Sequence, residues 1–310
     1  SFNSVNIGKG ANSVAGNTVL GESALDANTT ASNNTAVGYQ TLFANTTGVR
    51  NTAVGAYAMD ANTTANDNSA FGYFSLTNNT TGANNAAFGR ASLENNTTGA
   101  QNTAVGFKAM QLSTEGNHNT AIGAFTLDAN TTGSNNTAVG RDALGGNTTA
   151  SNNTAVGYQS LKVNTTGTQN VAVGKRALDA NTTANDNTAV GFDALSANTT
   201  GTGNTAVGRQ SLKNNTTADN LVAVGIDALA LNTTGIENTA CGGFALDANT
   251  TGGQNSAFGI GALGANTTAS HNTAVGYVAL ILNTTGTQNV AVGAFSLDAN
   301  TTGNFNVALG

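Results

Sequence analysis

The chain has 310 residues, 10 Lys+Arg against 16 Asp+Glu, a formal net charge of −6, 39 Gly and no Pro or Trp. Collagen is excluded, because it needs Pro and a Gly at every third position. Ten scattered cations on an acidic chain exclude nucleic-acid binding, and no apolar run reaches the roughly 20 residues that span a bilayer, so no membrane insertion is expected. A single cysteine, Cys241, excludes an intrachain disulfide framework.

Residues 1–20 do not follow the pattern that comes after them and are expected to form one or more irregular first coils. Their start, SFNSVNIGKG, is not a signal peptide. From Gly21 to Gly310, every seventeenth residue is Gly, in all 18 slots. Four residues after each of the first 17 of these stands Leu or Met, from Leu25 through Met59 and Met110 to Leu297. One unit reads N-T-A-V-G-x-x-A-L-x-x-N-T-T-G-x-x, with no insertion or deletion. A slower period lies on top: NTTASNNTAVGYQ begins at Asn28 and again at Asn147, 119 residues or seven units later. Residues 21–310 therefore read as one uninterrupted array that grew by block duplication.

Seventeen residues are too few for a helix pair, and the Gly, Asn and Thr of each unit oppose a helix. The T-A-V-G stretch is expected to be a strand, with Thr and Val on one face and Ala and Gly on the other. A second short strand is expected at the small-Leu pair, such as Ala143-Leu144. N-T-T-G is expected to turn the chain. Units of constant length stack like residues on like, which predicts an all-β parallel β-solenoid or β-roll with 17-residue coils. At about 4.8 Å per coil the array would extend on the order of 80 Å. One Leu, one Val and two Ala per coil make a thin core. The flat Ala-Gly face is therefore expected to meet other copies, most simply in a lateral trimer. Neither end shows a polar cap, so end-to-end growth into a filament is a further expectation.

The N-T-A-V-G and N-V-A-V-G segments resemble the N-S-V-A-I-G units of YadA-like trimeric autotransporter heads. The longer unit, with its x-A-L and N-T-T-G halves, is similar to repeats of phage and marine viral tail-fibre proteins. The resemblance implies a left-handed parallel β-roll, an intertwined homotrimer and surface adhesion.

The strongest chemical signal is N-T-T. Asn28, Asn45, Asn62, Asn79, Asn96, Asn130, Asn147, Asn164, Asn181, Asn198, Asn215, Asn232, Asn249, Asn266, Asn283 and Asn300 each have Thr two residues on, which makes each an N-glycosylation sequon. The same spacing also fits an Asn/Thr ladder at a turn, and this reading is preferred, because glycans every ~4.8 Å would crowd one another. Rows of Thr at strand spacing admit ice binding as a third reading.

Aromatic residues gather one or two positions after the Gly, at Tyr39, Tyr57, Tyr73, Phe107, Phe125, Tyr158, Phe192 and Tyr277 among others, with Arg90, Arg141, Lys175, Arg176 and Arg209 in neighbouring slots. That edge suits stacking on sugars or, the slightly preferred reading, on adjacent chains. Asp26, Asp60, Asp128, Asp179, Asp247 and Asp298 read as turn residues rather than calcium ligands. His118 and His271 read as surface substitutions, and Cys241, in a Val slot, as a buried inert thiol. No catalytic constellation, cofactor site or phosphate loop is found. Together these features predict an extracellular structural fibre, a cell-surface appendage or virion fibre built from a stiff rod that associates with its own copies. The alternative is an adhesin module that binds host glycans.

Overall fold

A computed structural model describes residues 6–310; residues 1–5 of the expected irregular opening lie outside the described residues. The chain forms two compact units, one ending at Asn153 and one spanning Thr154–Gly310. The 17-residue sequence register passes through that boundary unchanged. The first unit opens with β1 (Asn6–Gly8), a 3-10 turn at Ala11–Ser13 and β2 (Thr18–Gly21). One three-residue strand per coil follows, from β3 (Thr35–Val37) to β9 (Thr137–Val139), and the second unit runs likewise from β10 (Thr154–Val156) to β19 (Val307–Leu309). In both units neighbouring strands pair parallel, like on like, as in Thr35↔Thr52, Ala36↔Ala53 and Val37↔Val54. Each unit is a parallel β-solenoid of 17-residue coils, as the period requires.

The β2 edge departs from expectation. β1 lies antiparallel on it, with Ile7 opposite Leu20, so an uncapped first rung is not what the described residues form there.

Inter-coil hydrogen bonds continue far beyond the strands. Thr35 N–H donates to the Asn51 carbonyl at 2.8 Å, Gly38 N–H to the Leu20 carbonyl at 2.8 Å and Leu42 N–H to the Ala58 carbonyl at 3.0 Å. The coil closes through three left-handed residues per turn, for example Arg50 (φ 57°), Tyr57 (φ 58°) and Met59 (φ 53°). The Leu/Met slot is one of these, so the second strand expected at the small-Leu pair is absent: Leu144 has φ 51° and lies in a turn. A left-handed conformation is disfavoured for a bulky side chain by about 1–2 kcal/mol. Complete burial of that side chain in the coil interior offsets it.

The interior also differs from expectation. In the coil that starts at Asn51, the buried side chains are Asn51, Ala53, Ala58, Met59, Asn62 and Ala65. Val54 is only half-buried. Thr and Val share a strand face, as alternation demands, but that face points outward and Ala points in. The coil is too narrow to hold Val beside Leu, and two amides take the remaining space. The flat Ala face assigned to lateral contact is therefore the inner wall.

The Gly after each Val is fixed by close approach. Gly72 has φ 139°, and a Cβ there would meet the Gly89 carbonyl oxygen at 2.5 Å and its carbon at 2.7 Å.

Candidate functional site

Two interior amide ladders and two outward rows are the chemically distinctive features of each unit. The first ladder is the sequon Asn. Asn62 Nδ2 donates to Asn45 Oδ1 at 2.8 Å, and Asn79 Nδ2 to Asn62 Oδ1 at 3.0 Å. The same Nδ2 also donates to a carbonyl three residues on, as from Asn79 to Gly82 at 2.9 Å. Both amide hydrogens of Asn62 and Asn79 are thereby used, and from Asn28 to Asn283 the sequon Asn are buried; Asn300 is half-buried. In the folded coil, Nδ2 of these residues faces the interior, and a sugar on it would displace the ladder. The adjoining Thr closes the outer side: Thr80 Oγ1 donates to the Thr97 carbonyl at 3.0 Å. The folded protein is accordingly expected at the 30.7 kDa of the bare chain. Intact-mass spectrometry of protein secreted from a glycosylating host tests this, and a ladder of sugar-sized increments would refute it.

The second ladder is the Asn that precedes each strand, which sequence reasoning left without a role. Asn85 Oδ1 accepts from the Asn102 backbone N–H at 2.9 Å, and Asn85 Nδ2 donates to the Gly99 carbonyl at 2.8 Å. The recurrence of Asn in that slot was the available signal; its inward direction depends on how the coil closes.

The first ladder is interrupted between Asn28 and Asn45, where Asn28 Oδ1 is buried without a partner, and again at Ser113. Ser113 replaces Asn, and both Ser113 Oγ and Asn96 Oδ1 are buried without a hydrogen-bond partner. Buried polar atoms left unpaired cost about 1–3 kcal/mol each. Ser113→Asn is expected to raise stability by about 1–2 kcal/mol, since the introduced amide completes the chain between Asn96 and Asn130. Equilibrium denaturation checks it, and an unchanged or lowered midpoint would contradict the account.

Outside, the residues after the Gly form aromatic clusters. Tyr39 and Tyr57 meet edge-on with centroids 5.3 Å apart, Tyr57 and Tyr73 at 6.1 Å, Phe107 and Phe125 at 5.2 Å, and Tyr277 and Phe295 at 5.4 Å. Arg90 lies 6.0 Å from the Tyr73 ring and 5.7 Å from Phe107; Lys175 lies 6.0 Å from Tyr158 and 5.7 Å from Phe192. The structure thus brings most of the expected contact edge together as rings already packed on one another and on cations.

The second outward row is the Val slot, which sequence reasoning placed in the core. Leu20, Phe71, Phe88, Val105, Ile122, Val224, Phe258, Val275 and Val292 of this row are exposed, and the other Val of the slot, Val54 among them, are half-buried. Phe71 and Phe88 stack in parallel at 4.9 Å. Cys241 stands in this row and is half-exposed rather than buried, because the slot faces outward.

The Asp residues of the turn do not pair with one another. Burial pushes the carboxyls of Asp60, Asp128, Asp179 and Asp247 above their ordinary value, although Asp179 also accepts from Arg176 at 3.1 Å. Asp60 Oδ1 is buried without a partner. Asp67 differs, because the Arg50 guanidinium, 2.6 Å away, holds its carboxyl below the usual range. The signs follow from linkage. A raised carboxyl pKa penalises the folded state above that pKa, and the penalty disappears as pH falls to the unfolded value near about 3.9. Asp60→Asn is therefore expected to stabilise at pH 7, with the gain vanishing toward pH 4. Asp67→Asn is expected to destabilise slightly at pH 7, an exposed pair contributing little. Thermal melts of both variants across this range check the signs, and a gain for Asp60→Asn that persists at pH 4 would contradict the assignment.

His118 and His271 are exposed. Among the described residues no group of three or more His, Cys, Asp or Glu is placed to hold a metal, and no helix is long and apolar enough to cross a membrane. No protein-family model and no curated protein matches the chain.

Proposed function

We propose that the chain is a structural fibre element, a stiff β-solenoid rod of an extracellular assembly that associates with its own copies. The observation that carries the reading is the like-on-like register. Within each unit, successive coils from β3 on present the same strand and the same Gly to the next, and all but the Ser113 and Leu221 coils present the same two interior amides. Such a ladder resists bending, because any bend opens hydrogen bonds between successive coils. The resemblance of the N-V-A-V-G units to YadA-like heads and viral tail-fibre repeats supports placement outside the cell, as an appendage or virion fibre. Electron microscopy of the purified protein tests the proposal. Laterally or axially associated rods are expected, and dispersed single particles at every concentration would overturn it.

A second reading, a module that binds host glycans, is favoured by the exposed rings of Tyr39, Tyr73, Tyr158 and Tyr277, since sugars stack on such faces. A glycan array separates the two: a structural rod binds no sugar selectively.

A further inference from the structure

We infer that the outward Thr/Val face of the coils, rather than the aromatic row, is the surface through which copies of this chain associate side by side. The inference rests on the reading of the chain as a self-associating structural element and names the face that does it. Three observations point there. First, the face carries no charge. Each strand from β2 to β19 offers Thr, Ser, Val or Ala in its first slot and Val, Phe, Ile, Leu or Cys in its third, in a chain with 26 charged residues elsewhere. Absence of charge marks the buried centre of an interface. The aromatic row, by contrast, is interleaved with Arg90, Lys175, Arg209 and Asp227 and satisfies its own rings and cations, as a polar rim does.

Second, the apolar side chains on this face reach solvent, half-buried from Val156 to Val207 and more exposed at Val224, Phe258, Val275 and Val292. Val224 is 40% exposed, Phe258 42% and Val275 38%. A monomer rarely leaves a continuous apolar stripe of this kind uncovered. Third, the size suffices. Ten strands of the second unit, each presenting two side chains, offer on the order of 1,000 Å², against ~800 Å² per partner in a standard stable interface. The occupant is fixed by periodicity. A surface that repeats once per coil is matched row for row by another ladder of the same spacing, and a second copy supplies it.

Cys241 sits in this row between Val224 and Phe258, so the native chain carries its own reporter. Sedimentation of the wild type is expected to give multiples of 30.7 kDa. Maleimide labelling of Cys241 is expected to slow at least tenfold on passing from dilute monomer to assembled protein. V224K/F258K is expected to remain folded by circular dichroism and to sediment as a monomer. V224T/V275T, which keeps β-branched residues in the strands, is expected to weaken assembly and serves if the charged variant does not fold. Tyr277→Ser is expected to leave assembly intact. If the wild type assembles while Cys241 labels at its monomer rate, or if Tyr277→Ser alone dissolves the assembly, the face is wrongly assigned and self-association stands. A wild type that is monomeric at all concentrations overturns both. Thermal hysteresis from that monomer would give the Thr rows to an ice lattice instead.

Discussion

Gly72→Ala is expected to be among the most damaging single substitutions in the chain, with a loss above about 4 kcal/mol. Two effects act together. The backbone holds φ 139°, a region side chains rarely adopt, and the new Cβ would press on the Gly89 carbonyl oxygen at 2.5 Å and carbon at 2.7 Å. Neither atom belongs to a flexible side chain, so relief requires the two coils to part. Parting them breaks the bonds on either side, among them Gly89 N–H to the Phe71 carbonyl at 2.8 Å. Because coils interact only with their neighbours, the damage is expected to divide the first unit's ladder at that rung rather than spread evenly. Hydrogen exchange would then show amides of the adjoining coils opening first, and denaturation would lose its single step.

The same coil provides a control. A Cβ at Gly82 would also crowd its surroundings, meeting the Gly99 carbonyl oxygen and, at 2.6 Å, Asn79 Oδ1. Yet six coils carry Ala in that slot, among them Ala31, Ala65 and Ala150, each buried. The turn relaxes to admit a methyl group, whereas the Gly after the strand never gives way. Gly82→Ala is expected to change stability by less than about 1 kcal/mol. Equal losses in the two variants would mean that general crowding, and not the combination of φ and a backbone neighbour, fixes the invariant Gly.

The contrast shows what the residues themselves disclosed. Period, strand position and parallel stacking were legible, because a 17-residue unit without insertions admits few other packings. Inside and outside were less so. Hydrophobicity puts Val in the core and Asn at the surface, and the structure does the reverse. The better signal was tolerance of volume. The Ala between Thr and Val is Ala in 17 consecutive units, Ala36 to Ala308, while the Val slot accepts Phe, Ile, Leu and Cys, the three Phe each beside a smaller Ser69, Ala86 or Ser256 on the same face. A position that takes Phe71, Cys241 and Val292 alike has solvent in front of it. The left-handed Leu was not legible at all. Leu avoids that conformation in isolation, and only the closure of a narrow coil around a buried side chain imposes it. For the sequons, the Asn/Thr pattern admitted a modified surface but favoured a ladder at a turn, and the structure adds that the Asn side chains of that ladder point into the coil.

Asn85→Ala is expected to lose about 3 kcal/mol. Asn85 is buried, its Oδ1 accepts the Asn102 N–H at 2.9 Å, its Nδ2 donates to the Gly99 carbonyl at 2.8 Å, and its own N–H donates to Asn68 Oδ1 at 2.8 Å. Truncation leaves the Asn102 N–H without its acceptor inside the coil and takes one donor from Gly99, and unpaired buried groups cost about 1–3 kcal/mol each. The Gly99 carbonyl also accepts from Asn96 at 2.9 Å, so the larger share of the loss belongs to the Asn102 N–H. Asn85→Leu is expected to lose less than Asn85→Ala. Leu221 already occupies the same slot in the second unit, fully buried, with its own N–H still on Asn204 Oδ1 at 2.9 Å. A large side chain there recovers packing that Ala forfeits. The order wild type, Leu, Ala in denaturation midpoint is the expected result. If Ala equalled wild type, the amide ladder would be a passive filler and the stability of the coil would have to come from the Ala and Leu columns alone. If Leu exceeded wild type, the interior Asn would be kept for register rather than for stability, since only an amide fixes each coil on the next at one spacing.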